Sequence, residues 1–115
     1  MSNLSPSAGA RFRTALANEK PLQIVGTINA YMALMAERSG FKALYLSGAG
    51  VANASYGLPD LGMTSMNDVL IDAERITAAT EIPLLVDIDT GWGGAFNIAR
   101  TVRAFERGGV AAVHM

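Results

Sequence analysis

Cysteine is absent from all 115 residues. That excludes a disulfide framework and a thiolate-ligated zinc site. Charge is sparse and balanced: nine Lys and Arg against ten Asp and Glu, for a net charge of −1. No basic cluster stands out, which argues against a nucleic-acid surface. No run approaches the ~20 apolar residues of a membrane span. Residues 1–20 hold no apolar stretch of the kind a signal peptide needs. No membrane partner is expected, and a soluble cytoplasmic protein is the default reading. Low-complexity segments and repeats longer than a strand-helix unit are also missing. What is present suits a folded domain, since 50% of the residues are hydrophobic and 17% charged.

Taken in order, the chain alternates. Ser5-Pro6 predicts an N-cap with proline at the first helical position. Ala8 to Asn18 then carries Phe12 and Leu16 on one helical face, and Pro21 ends that segment. Leu22 to Ile28 reads as a strand. Ala30 to Ser39 reads as a helix closed by Gly40 at C′. Ala43 to Ser47 is a second strand. The sixteen residues from Gly48 to Met63 show no clean periodicity. Strand-to-helix loops usually take about 2–6 residues, so a functional loop or lid is expected there. Thr64-Ser65, with Asp68 as capping-box partner, opens a helix whose inner spacing is Val69, Leu70, Ala73 and Ile76. Pro83 to Asp89 is a third strand. Ala95 to Arg107 is a helix with Phe96, Ala99, Val102, Ala104 and Phe105 toward its inner face. Val110 to Met115 starts a fourth strand. One helix, three βα units and the start of strand four imply an α/β fold with a parallel sheet and right-handed crossovers. The pattern suits the N-terminal part of a (β/α)8 barrel, with a doubly wound sheet as its rival. A closed barrel needs about 250 residues, so residues 1–115 are expected to form a partial barrel domain that continues beyond Met115.

The third strand carries the chemistry. Asp87 and Asp89 interrupt an apolar run at i and i+2, positions that share one face of a strand. Their Cα atoms are expected roughly 6.6 Å apart. Two carboxylates side by side on a buried strand repel, so one takes a proton or a cation sits nearby. Hard oxygen ligands at a pocket mouth suit Mg²⁺ or Mn²⁺. Thr27 to Asn29 and Ser47 to Gly50 fall at the same ends of their strands. Ser47 and the amides of Gly48, Ala49 and Gly50 suit a carboxylate or phosphate, and Tyr45 shares the face of Ser47. Asp60, after Pro59, reads as a turn residue or as a third carboxylate acting on a metal through water. Trp92 either walls a pocket or covers the barrel end. Gly91-Trp92-Gly93-Gly94 lacks the spacing of a dinucleotide fingerprint. His114, the only histidine, reads as a hydrogen-bonded core residue, and Met32, Met35, Met63 and Met66 as packing.

Four runs carry a resemblance: Leu22-Gln-Ile-Val-Gly-Thr-Ile-Asn-Ala30, Leu44-Tyr-Leu-Ser-Gly-Ala-Gly-Val-Ala52, Gly57-Leu-Pro-Asp-Leu-Gly62 and Leu84-Leu-Val-Asp-Ile-Asp-Thr-Gly-Trp-Gly93. From about Ala10 to Met115 the chain resembles the methylisocitrate lyases of the isocitrate lyase/phosphoenolpyruvate mutase superfamily. The resemblance implies a (β/α)8 barrel, a homotetramer that swaps its last helix, and Mg²⁺ held by Asp87 and Asp89 largely through water, with Asp60 nearby. It implies that Ser47, Gly48 and Ala49 bind a carboxylate of a tricarboxylate substrate, beside Tyr45. The reaction implied is cleavage of 2-methylisocitrate to pyruvate and succinate, in propionate breakdown by the methylcitrate cycle.

The family's proton donor is a cysteine in a Lys-Lys/Arg-Cys-Gly-His loop after strand four. This sequence holds no cysteine and ends at Met115. No catalytic residue is therefore assigned within it, and the 115-residue chain alone is expected to be inactive. Alternatives stay open: isocitrate lyase, a phosphoenolpyruvate mutase-like enzyme, an oxaloacetate decarboxylase, or a non-catalytic half-barrel that pairs through its open sheet edges.

Overall fold

Four short apolar segments pair side by side in the computed structural model, which describes residues 5–115: β1 (Ile24–Gly26), β2 (Ala43–Leu46), β3 (Leu84–Asp87) and β4 (Ala112–His114). All pairs are parallel, and the order across the sheet is β1-β2-β3-β4. A doubly wound sheet reverses its strand order at a switch point. Strictly sequential order is what a barrel requires, so the strand order decides between the two expectations.

The connections are helices: α1 (Ala8–Asn18), α2 (Ala30–Arg38), α3 (Gly48–Gly50) running into a π-helical turn (Val51–Ser55), α4 (Met66–Ala79) and α5 (Ala95–Arg107). None is long and apolar enough to cross a membrane. Their starts follow local capping chemistry. Asn29 caps α2, its Oδ1 accepting the amide of Met32 at 2.9 Å. Ser65 and Asp68 form the expected capping box on α4. Gly40 follows α2 with φ +93°, a conformation open to glycine at little cost. At α1 the expectation fails by two residues. Ser7, not Ser5, is the cap, because its hydroxyl reaches the amide of Ala10 at 3.1 Å.

The two faces of the sheet differ. Leu44, Leu46, Leu84 and Val86 point to one face and are fully buried. There they join Ala33 and Ala36 of α2, Val69, Ala73 and Ile76 of α4, and Phe105 of α5 in one apolar cluster. Tyr45, Leu85, Asp87 and Ala112 take the alternate positions and are only half-buried. Helix α1 lies across the N-terminal ends of the strands. The Nε of Arg11 donates to the carbonyl of Glu81, just before β3, and Gly9 lies against the carbonyl of Ala111, just before β4. The opposite, C-terminal ends are left open to the loops.

Three further expectations are corrected. The segment after β2 is not an irregular loop throughout: Val51 and Ala52 are buried, and their burial coils residues 48–55 onto α4. On α5, Phe96 is 94% exposed and Val102 is exposed too, while Thr101 faces inward. Thr101 Oγ1 donates to the carbonyl of Gly91 at 2.9 Å, so a polar residue holds the inner face that apolar spacing assigned elsewhere. Of the four methionines read as packing, only Met66 lies against the core; Met32, Met35 and Met63 are exposed.

Candidate active site

The C-terminal ends of β2 and β3 are neighbours, since Leu46 registers with Val86. That pairing brings the turn after β2 beside the end of β3. Ser47 closes β2 and caps the short α3, its Oγ accepting the amide of Gly50 at 3.4 Å. Gly48 is buried, and a Cβ placed there would stand 3.3 Å from Oδ1 of Asp89 and 3.4 Å from its Oδ2. The missing side chain is what lets a carboxylate lie against this backbone. Ala49 and Gly50 are half-buried beside it.

Asp87 and Asp89 come together by a route other than the pleat. The strand stops at Asp87, and Asp89 has φ +50°, outside the strand region. Its amide donates to Oδ1 of Asp87 at 2.9 Å, a local turn that Asp side chains favour. Ile88, between them, is buried in the core, as expected. The alternation argument thus fails at Asp89, and a side-chain-to-backbone bond takes its place. The Asp89 carboxyl is held above the usual carboxylate range, first by burial, then by the charge of Asp87, and then by that of Asp60. Asp60 itself is exposed, in the loop between the π-helical turn and α4. Among the described residues, no group of three His, Cys, Asp or Glu side chains converges closely enough to hold a metal by itself.

A pair of hard carboxylates with unbalanced charge nevertheless suits Mg²⁺. That ion usually takes one or two protein carboxylates and fills its shell with water and substrate oxygens.

Tyr45 and His114 flank the pair. His114 registers with Asp87 across β3 and β4. Its Nε2 lies 2.8 Å from Oη of Tyr45, and the rings stack with centroids 5.5 Å apart. His114 is hydrogen-bonded, as expected, but exposed rather than in the core. It takes the position in β4 in phase with Asp87, and register is the signal that would have found it. Burial, and then the charges of Asp87 and Asp89, push the Tyr45 phenol above its ordinary range.

Other sequence candidates are placed away from this cluster or spent on structure. Trp92, φ +59°, stacks on Phe105 with centroids 6.1 Å apart and donates Nε1–H to the carbonyl of Thr64 at 3.2 Å. It packs against the core and also lines a small pocket of about 300 Å³ with Ser65, Asn97 and Arg100, which Asp87 and Asp89 do not line. Gly91, φ +86°, makes the turn possible, because a Cβ there would meet Ile98 Cγ1 at 2.6 Å. Asn29 is used as a cap, and Thr27 keeps a buried hydroxyl with no hydrogen-bond partner. A groove of about 770 Å³ lies away from the carboxylate cluster. It is bounded by α1, α4, α5 and the β4 flank, and Asp87 and Asp89 do not line it.

Comparison with known proteins places this arrangement. The sequence profile of the phosphoenolpyruvate phosphomutase family matches residues 12–115. The chain is 82% identical over 112 residues to a 2-methylisocitrate lyase of Shewanella oneidensis, a match covering 97% of this chain and 38% of that protein. The crystal structure of a 2,3-dimethylmalate lyase, described as a PEP mutase/isocitrate lyase superfamily member, superposes with a TM-score of 0.85 at 37% identity, over 96% of this chain and 40% of that one. A phosphonopyruvate hydrolase, solved with oxalate and Mg²⁺, superposes with a TM-score of 0.79 at 33% identity, over 94% and 38%. The chain thus spans about two fifths of the length of the relatives it matches. With sequential parallel strands, a carboxylate pair at the end of β3 and a family match over nearly its whole length, the chain belongs to the phosphoenolpyruvate phosphomutase family.

Proposed function

We propose that residues 1–115 are the N-terminal part of a Mg²⁺-dependent carbon–carbon lyase that cleaves 2-methylisocitrate to pyruvate and succinate. The observation that carries this is the Asp89 carboxylate. It lies against the backbone of Gly48, with burial first, and then Asp87 and Asp60, raising its cost of ionisation. The 82% identity to a 2-methylisocitrate lyase supports the choice of substrate. On this reading the whole protein is a cytoplasmic homotetramer, and it serves propionate breakdown through the methylcitrate cycle.

Each residue has a task. Asp87 and Asp89 would hold the metal, with Asp60 supporting it through water. A divalent ion held there, Mg²⁺ or Mn²⁺, would supply positive charge to the substrate oxygens. Ser47 and the backbone of Gly48 and Ala49 bind and orient a substrate carboxylate. Tyr45, hydrogen-bonded to His114 through its Oη, stands beside them. In the reaction the substrate hydroxyl loses its proton, the C–C bond breaks and a ketone forms on the pyruvate half. The bonding electrons leave with the succinate half, which then takes up a proton. The resemblance gives that donation to a cysteine, a residue type that residues 1–115 do not contain.

The test is an assay of the full-length protein carrying this segment. Pyruvate and succinate should appear from 2-methylisocitrate, stop with chelator and return with Mg²⁺ or Mn²⁺. Faster cleavage of isocitrate, decarboxylation of oxaloacetate, or phosphonate chemistry in place of C–C cleavage would overturn the assignment.

A further inference from the structure

The π-helical turn ends on two hydroxyls, and each is taken by a carboxylate of α4. Ser55 Oγ donates to Oδ2 of Asp72 at 2.5 Å, and Tyr56 Oη donates to Oδ1 of Asp68 at 2.9 Å. The other oxygen of Asp68, Oδ2, accepts the backbone amide of Ser65 at 2.8 Å. One carboxylate therefore grips both ends of the intervening loop, residues 57–64. That loop carries Asp60, and its middle is thinly held: Pro59, Asp60, Leu61, Gly62 and Met63 are all exposed. Fixing the two ends of a short loop removes much of its conformational freedom.

The Tyr56 bond is not needed for the helix cap. Asp68 N–H donates to Ser65 Oγ at 3.2 Å, and Ser65 N–H donates to Asp68, so the reciprocal cap is complete without a phenol. Nor does packing account for Tyr56, which is 46% exposed. What the phenol adds is closure of the loop base.

We infer that Asp68, acting through Tyr56, is a positioning residue that clasps the base of the 57–64 loop and so sets where Asp60 stands relative to Asp87 and Asp89. The inference rests on the reading of that pair as a metal site. Ser55 and Asp72 reinforce the clasp one helical turn further along α4, where the Asp72 carboxylate is buried and Arg75 also reaches it at 3.5 Å.

The test compares wild type, Tyr56→Phe and Asp60→Asn in the full-length enzyme. Mn²⁺ affinity is measured from the resonance of the free ion, and hydrogen–deuterium exchange is followed across residues 57–64 and across α4 without metal. Tyr56→Phe removes the clasp and leaves the cap intact. It should speed exchange in 57–64, leave α4 unchanged and weaken Mn²⁺ binding about tenfold, as loss of an outer-sphere support typically does. Asp60→Asn should weaken Mn²⁺ by a similar factor with no change in exchange. If Tyr56→Phe speeds exchange while Mn²⁺ affinity stays at the wild-type value, the clasp is merely structural and the inference fails. If Tyr56→Phe changes neither, there is no clasp. If Asp60→Asn binds Mn²⁺ like wild type, the role of Asp60 at the metal fails and takes the inference with it. Only that last outcome appears in the Asp60 variant, so the two failures are told apart.

Discussion

Two pairs of aspartates in this chain meet opposite fates. Asp68 and Asp72 lie one turn apart on α4 and are well supplied with donors. Asp68 accepts from Tyr56 and from the amide of Ser65, and Asp72 from Ser55, with Arg75 nearby. Among the described residues, Asp87 and Asp89 share a single donor: the amide of Asp89 itself, spent on Asp87. Among the described residues, nothing donates to the carboxylate of Asp89. The electrostatics follow. The Ser65 backbone bond, then the Tyr56 hydroxyl, hold the Asp68 carboxyl below its usual range. Burial, then Asp87, then Asp60, hold Asp89 above it. The residue type is the same and the surroundings set the outcome. A satisfied pair serves the fold, whereas an unsatisfied pair suits the cation site proposed for it.

Substitution should separate the pairs most sharply. In the full-length enzyme, Asp87→Asn or Asp89→Asn should lower turnover by about 10²–10³, the scale of losing a charge-stabilising group. The same changes should leave the melting temperature of the metal-free protein equal to or above that of wild type, because they remove a repulsion. Asp72→Ala should do the reverse. It removes the buried acceptor of the Ser55 hydroxyl and should cost stability of about 0.5–1.5 kcal/mol, the net worth of a typical hydrogen bond. Steady-state kinetics and scanning calorimetry on the three variants decide this. A destabilised Asp89→Asn protein that keeps its turnover would erase the distinction.

Metal should then reverse the frustration of one pair only. Mg²⁺ at a hundred times its dissociation constant should stabilise the folded enzyme by about 2.7 kcal/mol. Asp87→Asn should lose that increment, whereas Asp72→Ala should keep it despite its lower baseline. Thermal melts with and without Mg²⁺ measure both. Equal increments in the two variants would mean that the cation binds elsewhere.

Much of this was readable in residue order, and the failures share a cause. Alternating apolar strands and helices gave the parallel sheet. Ser65 with Asp68, and Gly40 at C′, were correct because capping is a local matter between residues a few positions apart. The carboxylate pair was visible as charge inside an apolar run. The way Asp87 and Asp89 meet was not, because a side-chain-to-amide bond overrides the pleat at the strand end. The π-helical turn was hidden by its brevity and by the glycines just before it, and only the burial of Val51 and Ala52 reveals why it coils. Thr101 went unrecognised as an inward residue because its partner is the carbonyl of Gly91, ten positions away. Tyr56 with Asp68 and Ser55 with Asp72 are 12 and 17 residues apart, and no helical or strand period links such positions.

The smallest expected effect is a difference in pH dependence, and it has opposite sign at the two sites. A carboxyl whose folded-state pKa is depressed stabilises the fold above its unfolded value, and that contribution fades as pH falls through the folded pKa. Asp68 is of this kind, so the stability gap between wild type and Asp68→Asn should shrink on acidification below the ordinary carboxylate range. A carboxyl whose folded-state pKa is raised contributes its stability only in acid and loses it as pH rises through that raised value. Asp89 is of this kind. Metal-free Asp89→Asn should therefore match wild type in acid and gain on it as pH climbs past the ordinary carboxylate range. Urea unfolding of the metal-free full-length proteins across that range measures both trends. Saturating Mg²⁺ should abolish the Asp89 trend, because the ion supplies the charge the fold withholds, and should leave the Asp68 trend intact. A pH response that Mg²⁺ alters equally at both positions would show that the two pairs do not differ in the way their hydrogen bonds imply.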